Sequence, residues 1–308
     1  MPSIPLHKAV TLSLGEMEGT IVSHYQLGVL VYRLHTQQKF RGEALADRKE
    51  TPEKRDVSSV LKRLLDDGVL TAYRAVAPTV YTLLGRTSQS ASDLVCEIDP
   101  FCYISHLSAM EHHGLTDRMT ANTYITRPAP RDWSRFSLER QQRDLGDDFQ
   151  TWRQQGFPAL SRPRFIKKIA DRSVSEVNSI HLGAYRTFKH SRLKISTLGQ
   201  TYLDMLRRPD LCGGIYHVLT VFETTARNHL QNIVDEIERN GTVIEKVRAG
   251  YVLDERCKLQ HEVISSWVAL AQRGGSRKLD PQREYAARYS ARWCISLNID
   301  EPDEQAAH

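Results

Sequence analysis

The sequence TPEKRDVSSVLKRLLDDGVLTAYRAVAPTVYTLL, residues 51–84, holds the clearest structural signals in the chain. Thr51 can cap a helix, and Pro52 suits the first helical position because its missing N–H would have no partner there. Gly68 is typical of the residue just past a helix C-terminus. These signals predict a helix that ends before Gly68. Its buried face is predicted from the 3.6-residue period to consist of Val57, Val60, Leu61, Leu64 and Leu65.

Two short runs rich in β-branched and aromatic residues follow this helix. VLTAYR and TVYTLL flank the Pro-containing turn AVAP, which predicts a β-hairpin. Upstream, LGVLVYRL at 27–34 has apolar residues at i, i+3, i+4 and i+7, as expected for one helix face. GEALADRKE at 42–50 predicts a short second helix. Three helices followed by a hairpin are the arrangement of a winged helix-turn-helix.

The face of the third helix opposite the apolar stripe is polar and cationic. Side chains recur at about 100° per residue around a helix, which separates the two faces. Cationic and hydroxyl side chains on a helix that enters a DNA groove reach phosphates and base edges. A solvated charged face and a winged helix used for protein contacts are the alternatives, and Asp56 and Asp66 make the surface less basic. The residues predicted to bind DNA are Lys54, Arg55, Ser58, Ser59, Lys62, Arg63 and, in the hairpin, Arg74.

The composition of the 308 residues is that of an ordinary globular protein, with 40% hydrophobic and 26% charged residues. No apolar run approaches the ~18 to 20 residues needed to cross a bilayer, and no signal peptide is evident. The five cysteines are scattered without a CxxC pair, which favours reduced thiols in a cytoplasm. The formal net charge of +5 permits nucleic-acid binding without requiring it.

The small polar stretch GRTSQSASD, at 85–93, is the best domain boundary. We therefore expect an α+β protein with two domains, a winged helix-turn-helix at 1–86 and a mixed α/β domain at 87–308. In the second domain the pattern predicts a helix stopping at Gly114 and a helix beginning near Ile215. The strands predicted there lie at 120–128, 192–197 and 292–300.

Residues 127–172 are unusually basic, with eleven Lys and Arg against six Asp and Glu. At its centre, SRPRFIKKIADR interleaves cations with apolar residues, which predicts a strand with a cationic outer face. This face is either a second contact for nucleic acid or an acidic partner, or a basic surface without a specific ligand. The candidate residues are Arg162, Arg164, Lys167 and Lys168.

The stretch STLGQTYLDMLRRPDLCGG, residues 196–214, resembles an active site in composition but is predicted to be a scaffold helix. Thr197 and Gln200 have the spacing of a capping box. Asp204 stands three and four residues before Arg207 and Arg208, the spacing of ion pairs on a helix surface. Asp204, Arg207 and Arg208 also remain candidates for a partner-binding surface.

No catalytic constellation is predicted. The only carboxylate placed two residues before a lysine is in Asp47-Arg48-Lys49, which falls in the predicted helix-turn-helix and is discounted as a nuclease motif. Phosphate-binding glycine loops and a GxSxG elbow are absent. Cys102 and His106 have helical i, i+4 spacing, with His112 and His113 nearby, but a fourth zinc ligand is not evident. We expect no catalytic residues, metal or cofactor.

Two segments carry a resemblance to a known family. YISHLSAMEHHGL at 103–115 and GQTYLDMLRRPDLCGG at 199–214 resemble two motifs of the AbiEi family of antitoxins and transcriptional regulators. VRAGYVLDE at 247–255 is a weaker match. The family usually has Glu-Arg where this chain has Gly199-Gln200, so a charged pair at the helix start is missing here.

The resemblance implies a non-enzymatic, cytoplasmic protein that represses its own operon by binding inverted repeats in its promoter through the winged helix. It also implies that the second domain counters a nucleotidyltransferase-like toxin of the AbiEii type in phage defence. Two alternatives remain: an orphan regulator whose second domain senses a ligand or binds a partner, and a nucleic-acid enzyme that uses Cys102, His106 and His113 with a metal.

Overall fold

The computed structural model describes residues 3–46, 51–87, 90–188, 191–272 and 277–300, and it confirms the predicted α+β class. The helices are α1 (Leu6–Glu16), α2 (His24–Gln37), α3 (Lys54–Asp66), α4 (Ala91–Ile98), α5 (His106–His112), α6 (Pro130–Leu145), α7 (Phe149–Gln154), α8 (Leu198–Arg207), α9 (Ile215–Asn240), α10 (Val243–Gly250) and α11 (Glu262–Trp267). The strands are β1 (Ser3–Ile4), β2 (Ile21–Ser23), β3 (Lys39–Phe40), β4 (Glu43–Leu45), β5 (Leu70–Tyr73), β6 (Val76–Ala77), β7 (Val80–Leu83), β8 (Tyr103–Ile104), β9 (Asn122–Pro128), β10 (Arg164–Phe165), β11 (Ser173–Ser179), β12 (Tyr185–Thr187), β13 (Lys194–Ser196), β14 (Tyr289–Ser290) and β15 (Ile295–Ser296).

The chain divides into two compact units that do not follow the order of the sequence. The domain boundary predicted after residue 86 stays a prediction, although these units have different bounds. The first unit comprises Met1–Tyr103, Ala121–Leu182 and Thr187–Lys194, and the second comprises Ile104–Thr120, Gly183–Arg186 and Ile195–His308.

The first unit begins with three helices and a three-stranded antiparallel sheet in the order β2-β7-β5. Leu70 stands opposite Leu83 and Tyr73 opposite Val80, which confirms the predicted hairpin. The helix predicted from 27–34 lies inside α2. It starts with a reciprocal cap in which Ser23 Oγ accepts from the Gln26 N–H and Gln26 Oε1 accepts from the Ser23 N–H.

The helix predicted at 42–50 is wrong where the structure describes it, and residues 47–50 lie outside the described ranges. Arg41 and Gly42 have φ values of 50° and 86°, so the chain makes a tight left-handed turn between β3 and β4. Strand β4 then pairs with β1. Three helices still precede the hairpin, because α1 stands in place of the predicted helix. The sequence prediction missed α1, although its buried residues Leu6, Ala9, Val10 and Leu14 have helical spacing.

A late segment of the chain completes the core of the first unit. Trp152 is 1% exposed and belongs to the same buried cluster as the apolar residues of α1, α2 and α3. Its ring stacks on Phe157 at 4.6 Å between centroids and meets the edge of Tyr32 at 5.5 Å. Stacked and edge-on aromatic contacts stabilise a core beyond the area that they bury. The N-terminal helices therefore share one hydrophobic core with residues 145–157.

The first unit also contains the parallel strands β9 and β11, which are paired along seven residues of each strand. Strand β9 confirms the predicted strand that ends at Pro128. Within β9, Arg127 is 2% exposed and pairs with Asp99 at 3.1 Å and with Glu176 at 3.0 Å. Asp99 Oδ1 also accepts from Trp133 Nε1 at 3.0 Å. A buried charge is tolerated because it is paired and hydrogen-bonded.

The second unit is built mainly from helices, with α8 packed along α9. The predicted apolar stripe of α9 is confirmed, since Ile215, Val218, Leu219 and Phe222 are all buried. The predicted stop of α5 at Gly114 is also confirmed, with φ at +66°. The strands predicted at 192–197 and 292–300 are shorter than predicted and correspond to β13 and β15. Within the described part of the chain, no helix is both long and apolar enough to cross a membrane.

Candidate nucleic-acid interface

Helix α3 carries most of the predicted interface, and local hydrogen bonds define its ends. The Asp56 carboxylate accepts from the backbone N–H of Glu53 at 2.8 Å, so Glu53 is the N-cap. The predicted cap at Thr51 is wrong, because Asp56 supplies the acceptor that the exposed N–H needs and the helix begins at Lys54. At the other end Gly68 has φ +71°, which confirms the predicted stop.

One side of α3 is anchored in the core of the first unit. Val57 is 0%, Val60 5% and Leu64 1% exposed. Leu61 packs partly against the same core, whereas Leu65 is 36% exposed. The buried stripe is therefore narrower than predicted, and Leu65 lies at its margin. This anchoring fixes which side of the helix faces away from the core.

The opposite face of α3 presents every polar residue predicted for it. All six side chains are exposed: Lys54, Arg55, Ser58, Ser59, Lys62 and Arg63. The helix holds these groups in a fixed order on one surface while its apolar side stays buried. An array of this kind can donate hydrogen bonds and positive charge to phosphate oxygens and to base edges.

The partners of these cations are weak and exposed. Arg55 pairs with Glu53, and Arg63 Nε lies 3.0 Å from Asp67 Oδ2. Exposed ion pairs contribute at most about 1 kcal/mol, so a polyanion can replace either carboxylate. The pKa of His24, at the start of α2, is lowered first by burial and then by the positive charge of Lys54.

The turn after β5 carries Arg74, the predicted DNA contact of the hairpin. Arg74 is exposed and follows Tyr73, the last residue of β5. The short strand β6 comes directly after this turn. Arg74 is thus on a surface projection rather than in the core, as a contact to a large ligand requires.

The basic segment after α7 joins this same hairpin. Strand β10 pairs antiparallel with β6, with Arg164 opposite Ala77 and Phe165 opposite Val76. The Ala75 carbonyl accepts hydrogen bonds from the N–H groups of Ile166 at 2.9 Å and Lys167 at 3.1 Å. The hairpin turn that carries Arg74 and the basic segment at 164–168 are therefore adjacent in the fold, although they are far apart in sequence.

Four basic residues of this segment differ in environment. Arg164, Lys167 and Lys168 are exposed. Arg162 is half-buried and donates from Nη2 to Asn178 Oδ1 at 2.5 Å. Burial, and then the charge of Arg127, lower the pKa of Arg162. Arg162 is thus better placed to support β11 than to contact a ligand.

Asp204, on α8 in the second unit, has a buried structural environment. It is 6% exposed, and Gln200 Nε2 donates to its Oδ1 at 2.6 Å. Burial raises the pKa of Asp204 to about 7. Thr197 Oγ1 accepts from the Gln200 N–H at 3.2 Å, which is half of the predicted capping box. The predicted return bond is wrong because the Gln200 side chain turns to Asp204 instead.

The predicted ion pairs of Asp204 with Arg207 and Arg208 are replaced by other pairs. Arg207 binds the Glu245 carboxylate of α10 through two hydrogen bonds, 2.7 Å from Nε and 3.1 Å from Nη2. Arg208 Nη2 lies 2.9 Å from Asp210 Oδ2. Both cations are therefore paired with carboxylates inside the second unit. Glu245 is remote in sequence, and Asp210 stands two residues after Arg208, so the i+3 and i+4 spacing rule predicts neither pair.

Gly199 has a packing role that sequence spacing did not indicate. A Cβ at this position would lie 2.4 Å from the Asn232 carbonyl oxygen and 2.7 Å from Glu236 Cβ. A Cβ on Gly183 would lie 2.4 Å from the Gln200 side chain. The Gly199-Gln200 pair therefore permits close packing of α8 on α9 and against residue 183.

The Cys and His cluster has separate roles in the fold. His106 Nδ1 is 2.8 Å from Ser105 Oγ, and burial lowers the pKa of His106 to about 4. His113 Nε2 is 2.8 Å from the Ser196 carbonyl oxygen. Burial raises the pKa of the Cys102 thiol, to which nearby Cys96 contributes. In the described ranges, no three His, Cys, Asp or Glu side chains group together as metal ligands. Asp47-Arg48-Lys49 lies outside those ranges.

Comparison with known proteins adds no relative. A scan against protein-family models finds no match, and a search of curated proteins finds none either. Function is therefore inferred from the residues themselves and from the motif resemblance described above.

Proposed function

We propose that the chain is a DNA-binding transcriptional repressor whose residues 1–86 form a winged helix-turn-helix. In this proposal α2 and α3 are the helix-turn-helix, α3 enters the major groove, and the hairpin of β5 and β7 is the wing. The observation that carries the proposal is the polar, cationic face of α3, held outward by buried Val57, Val60 and Leu64.

The chemistry of this face suits duplex DNA better than a small ligand. Its cations are exposed on a convex helix rather than gathered in a cleft, and two of them hold only exposed carboxylates. Ser58 and Ser59 add hydroxyl groups between the cations. Phosphate contacts by such residues position a protein on DNA, and base-edge contacts by the same helix supply specificity.

The motif resemblance supports a narrower proposal for the whole chain. We infer a cytoplasmic antitoxin that represses its own promoter at inverted repeats and counters a nucleotidyltransferase-like toxin. The segments 103–115 and 199–214, both largely in the second unit, carry that resemblance. The buried Asp204 and the pairing of Arg207 with Glu245 support a scaffold role for α8 in this proposal.

A binding assay with the DNA upstream of the chain's own gene tests the DNA-binding proposal. The double variant Lys62→Glu/Arg63→Glu should lower affinity by about 100-fold at moderate salt, because two cations become anions that face phosphates. Circular dichroism should show an unchanged fold, since both side chains are exposed.

The matched control is Arg131→Glu/Arg143→Glu, which changes the net charge equally at exposed positions of α6. It should retain most of the affinity. Equal losses in the two variants, or wild-type affinity in the α3 variant, would contradict the proposal. Rescue of cells that express the neighbouring toxin gene tests the antitoxin role separately, and failure to rescue would leave an orphan regulator.

A further inference from the structure

We propose that residues 164–168 form a second edge of the wing and bind the phosphate backbone of DNA beside the site covered by α3. This inference rests on the proposed DNA binding. It assigns a contact to a segment that follows α7 and lies far from α3 in sequence. The partner is duplex DNA, recognised through its phosphates rather than its bases.

Backbone pairing places this segment on the hairpin. Arg164 stands opposite Ala77 in an antiparallel register, and neighbouring strands lie about 4.8 Å apart. The Ala75 carbonyl then holds the next two N–H groups, those of Ile166 and Lys167. Four consecutive residues, 164–167, are thereby fixed to residues 75–77. They extend the hairpin sideways by one strand.

The far end of the segment is also anchored. Ile169 is fully buried and pairs with Arg172 across a tight turn, with N–H to carbonyl distances of 2.8 and 3.0 Å. Burial raises the pKa of Tyr73 on β5, and a hydrogen bond to the backbone of Ala170 opposes that rise. Anchors on both sides hold the cations in place before binding, which reduces the ordering cost of association.

The charge of the segment fits a polyanion. Residues 164–172 contain four cations and a single carboxylate, that of Asp171. Arg164, Lys167 and Lys168 are exposed, and the described residues offer them no ion pair. Arg74, in the hairpin turn, adds a fourth exposed cation next to the Ala75 anchor. Because no carboxylate among the described residues offsets these charges, they are available to an external anion.

The length of the segment matches the spacing of DNA charges. Only Arg164–Phe165 is a strand and the chain bends at Lys167, so the five residues span at most about 13 Å, at about 3.3 Å per residue. One strand of DNA carries a phosphate for each ~3.4 Å of helix axis. Long Arg and Lys side chains on such a stretch can reach two or three neighbouring phosphates. The expected contact is therefore electrostatic and independent of sequence, unlike that of α3.

Salt dependence of binding to the upstream DNA tests this contact. The triple variant Arg164→Gln/Lys167→Gln/Lys168→Gln should weaken binding by about tenfold or more near physiological salt. The slope of log K against log salt should shrink by about 0.9 for each lost phosphate contact, or two to three in total. Hydroxyl-radical footprinting should lose protection at one flank and keep it at the centre.

Two further variants make the outcome decisive. Arg164→Lys/Lys167→Arg/Lys168→Arg keeps the charges and should retain wild-type affinity. Arg131→Gln/Arg135→Gln/Arg143→Gln, on exposed positions of α6, likewise removes three charges and should change the slope little.

An unchanged slope and footprint in the triple variant, while Lys62→Glu/Arg63→Glu still lowers affinity by about 100-fold, would overturn this inference and leave the proposed function intact. Wild-type affinity in the α3 variant would instead overturn the proposed function. If the slope of log K against log salt shrinks no more in the triple variant than in the α6 control, the effect is one of general charge, and the inference is also overturned.

Discussion

Helices α3 and α8 look alike in sequence but use their charges in opposite ways. Each has two adjacent basic residues at or near its C-terminus, Lys62-Arg63 within α3 and Arg207-Arg208 at the end of α8. In α3 these side chains are exposed, and Arg63 holds only the exposed Asp67. At the end of α8, Arg207 is bound to the largely buried Glu245 of α10, whereas Arg208 pairs with the partly exposed Asp210.

The difference between Arg63 and Arg207 lies in a carboxylate that is remote in sequence. Glu245 stands 38 residues after Arg207, so no rule on local spacing predicts that the two side chains pair. The acids of α3 instead cap its ends, Asp56 at the start and Asp67 after the last residue. A cationic pair on a helix thus indicates a ligand-binding face only when the tertiary structure leaves it exposed.

The largest effect expected from this contrast concerns Asp204, the buried acid of α8. An unfolded aspartate ionises near pH 3.9, whereas burial raises the pKa of Asp204 to about 7. Between these values the folded chain keeps a proton that the unfolded chain has released. Its contribution to the free energy of unfolding is therefore full at low pH and is lost as pH rises, at about 1.4 kcal/mol per pH unit.

Urea unfolding of the wild type and of Asp204→Asn, from about pH 4 to pH 8, measures this contribution. The asparagine keeps an acceptor for Gln200 but does not titrate. The stability of the wild type relative to the variant should fall by about 4 kcal/mol over that range. A difference independent of pH would mean that Asp204 is ionised in the fold. No comparable slope is expected for substitutions on the exposed face of α3.

A glycine comparison comes next in size. Gly199→Ala places a Cβ 2.4 Å from a backbone carbonyl oxygen of α9, and the free energy of unfolding should fall by about 1 to 3 kcal/mol. Gly15→Ala, in α1, is the matched control because no other atom lies within 4 Å of the position that the added Cβ would take. It should stabilise the chain by up to about 1 kcal/mol. Thermal unfolding that ranks the two variants in the reverse order would refute the close packing of α8 on α9.

The smallest effect is expected at the end of α3. Asp67→Asn removes the exposed partner of Arg63, and the free energy of unfolding should change by less than about 0.5 kcal/mol. The DNA affinity should hold or rise slightly, since a negative charge leaves the interface. A loss of stability above about 1 kcal/mol would show that this pair is structural, as the Arg207 pair of α8 is.

Much of the fold could be predicted because local signals agree with tertiary contacts. The hairpin, the stop at Gly68 and the buried stripe of α9 follow from turn residues and periodicity. The failures have physical causes. GEALADRKE has good helix formers, but the turn at Arg41 and Gly42 and the pairing of β4 with β1 override that propensity.

The candidate site was predicted in two separate parts. The exposed face of α3 followed from helical period alone. The union of the basic segment with the hairpin did not, because strand pairing between Arg164 and Ala77 leaves no periodic signal in the sequence. Trp152 was missed for the same reason, since its partners in α2 are distant in the chain. A local pattern specifies a surface, and only the fold specifies what stands beside it.

The pairing of β6 with β10 also has a consequence during protein synthesis. Ala77 emerges from the ribosome well before Arg164, and chains grow at about 5 to 20 residues per second. For several seconds the nascent hairpin therefore presents β6 as an unpaired edge, a site open to wrong partners. The core residue Trp152 arrives in the same late interval. A nascent chain cannot complete its first compact unit until the ribosome has passed these residues, so the finished unit forms later than its own first helices.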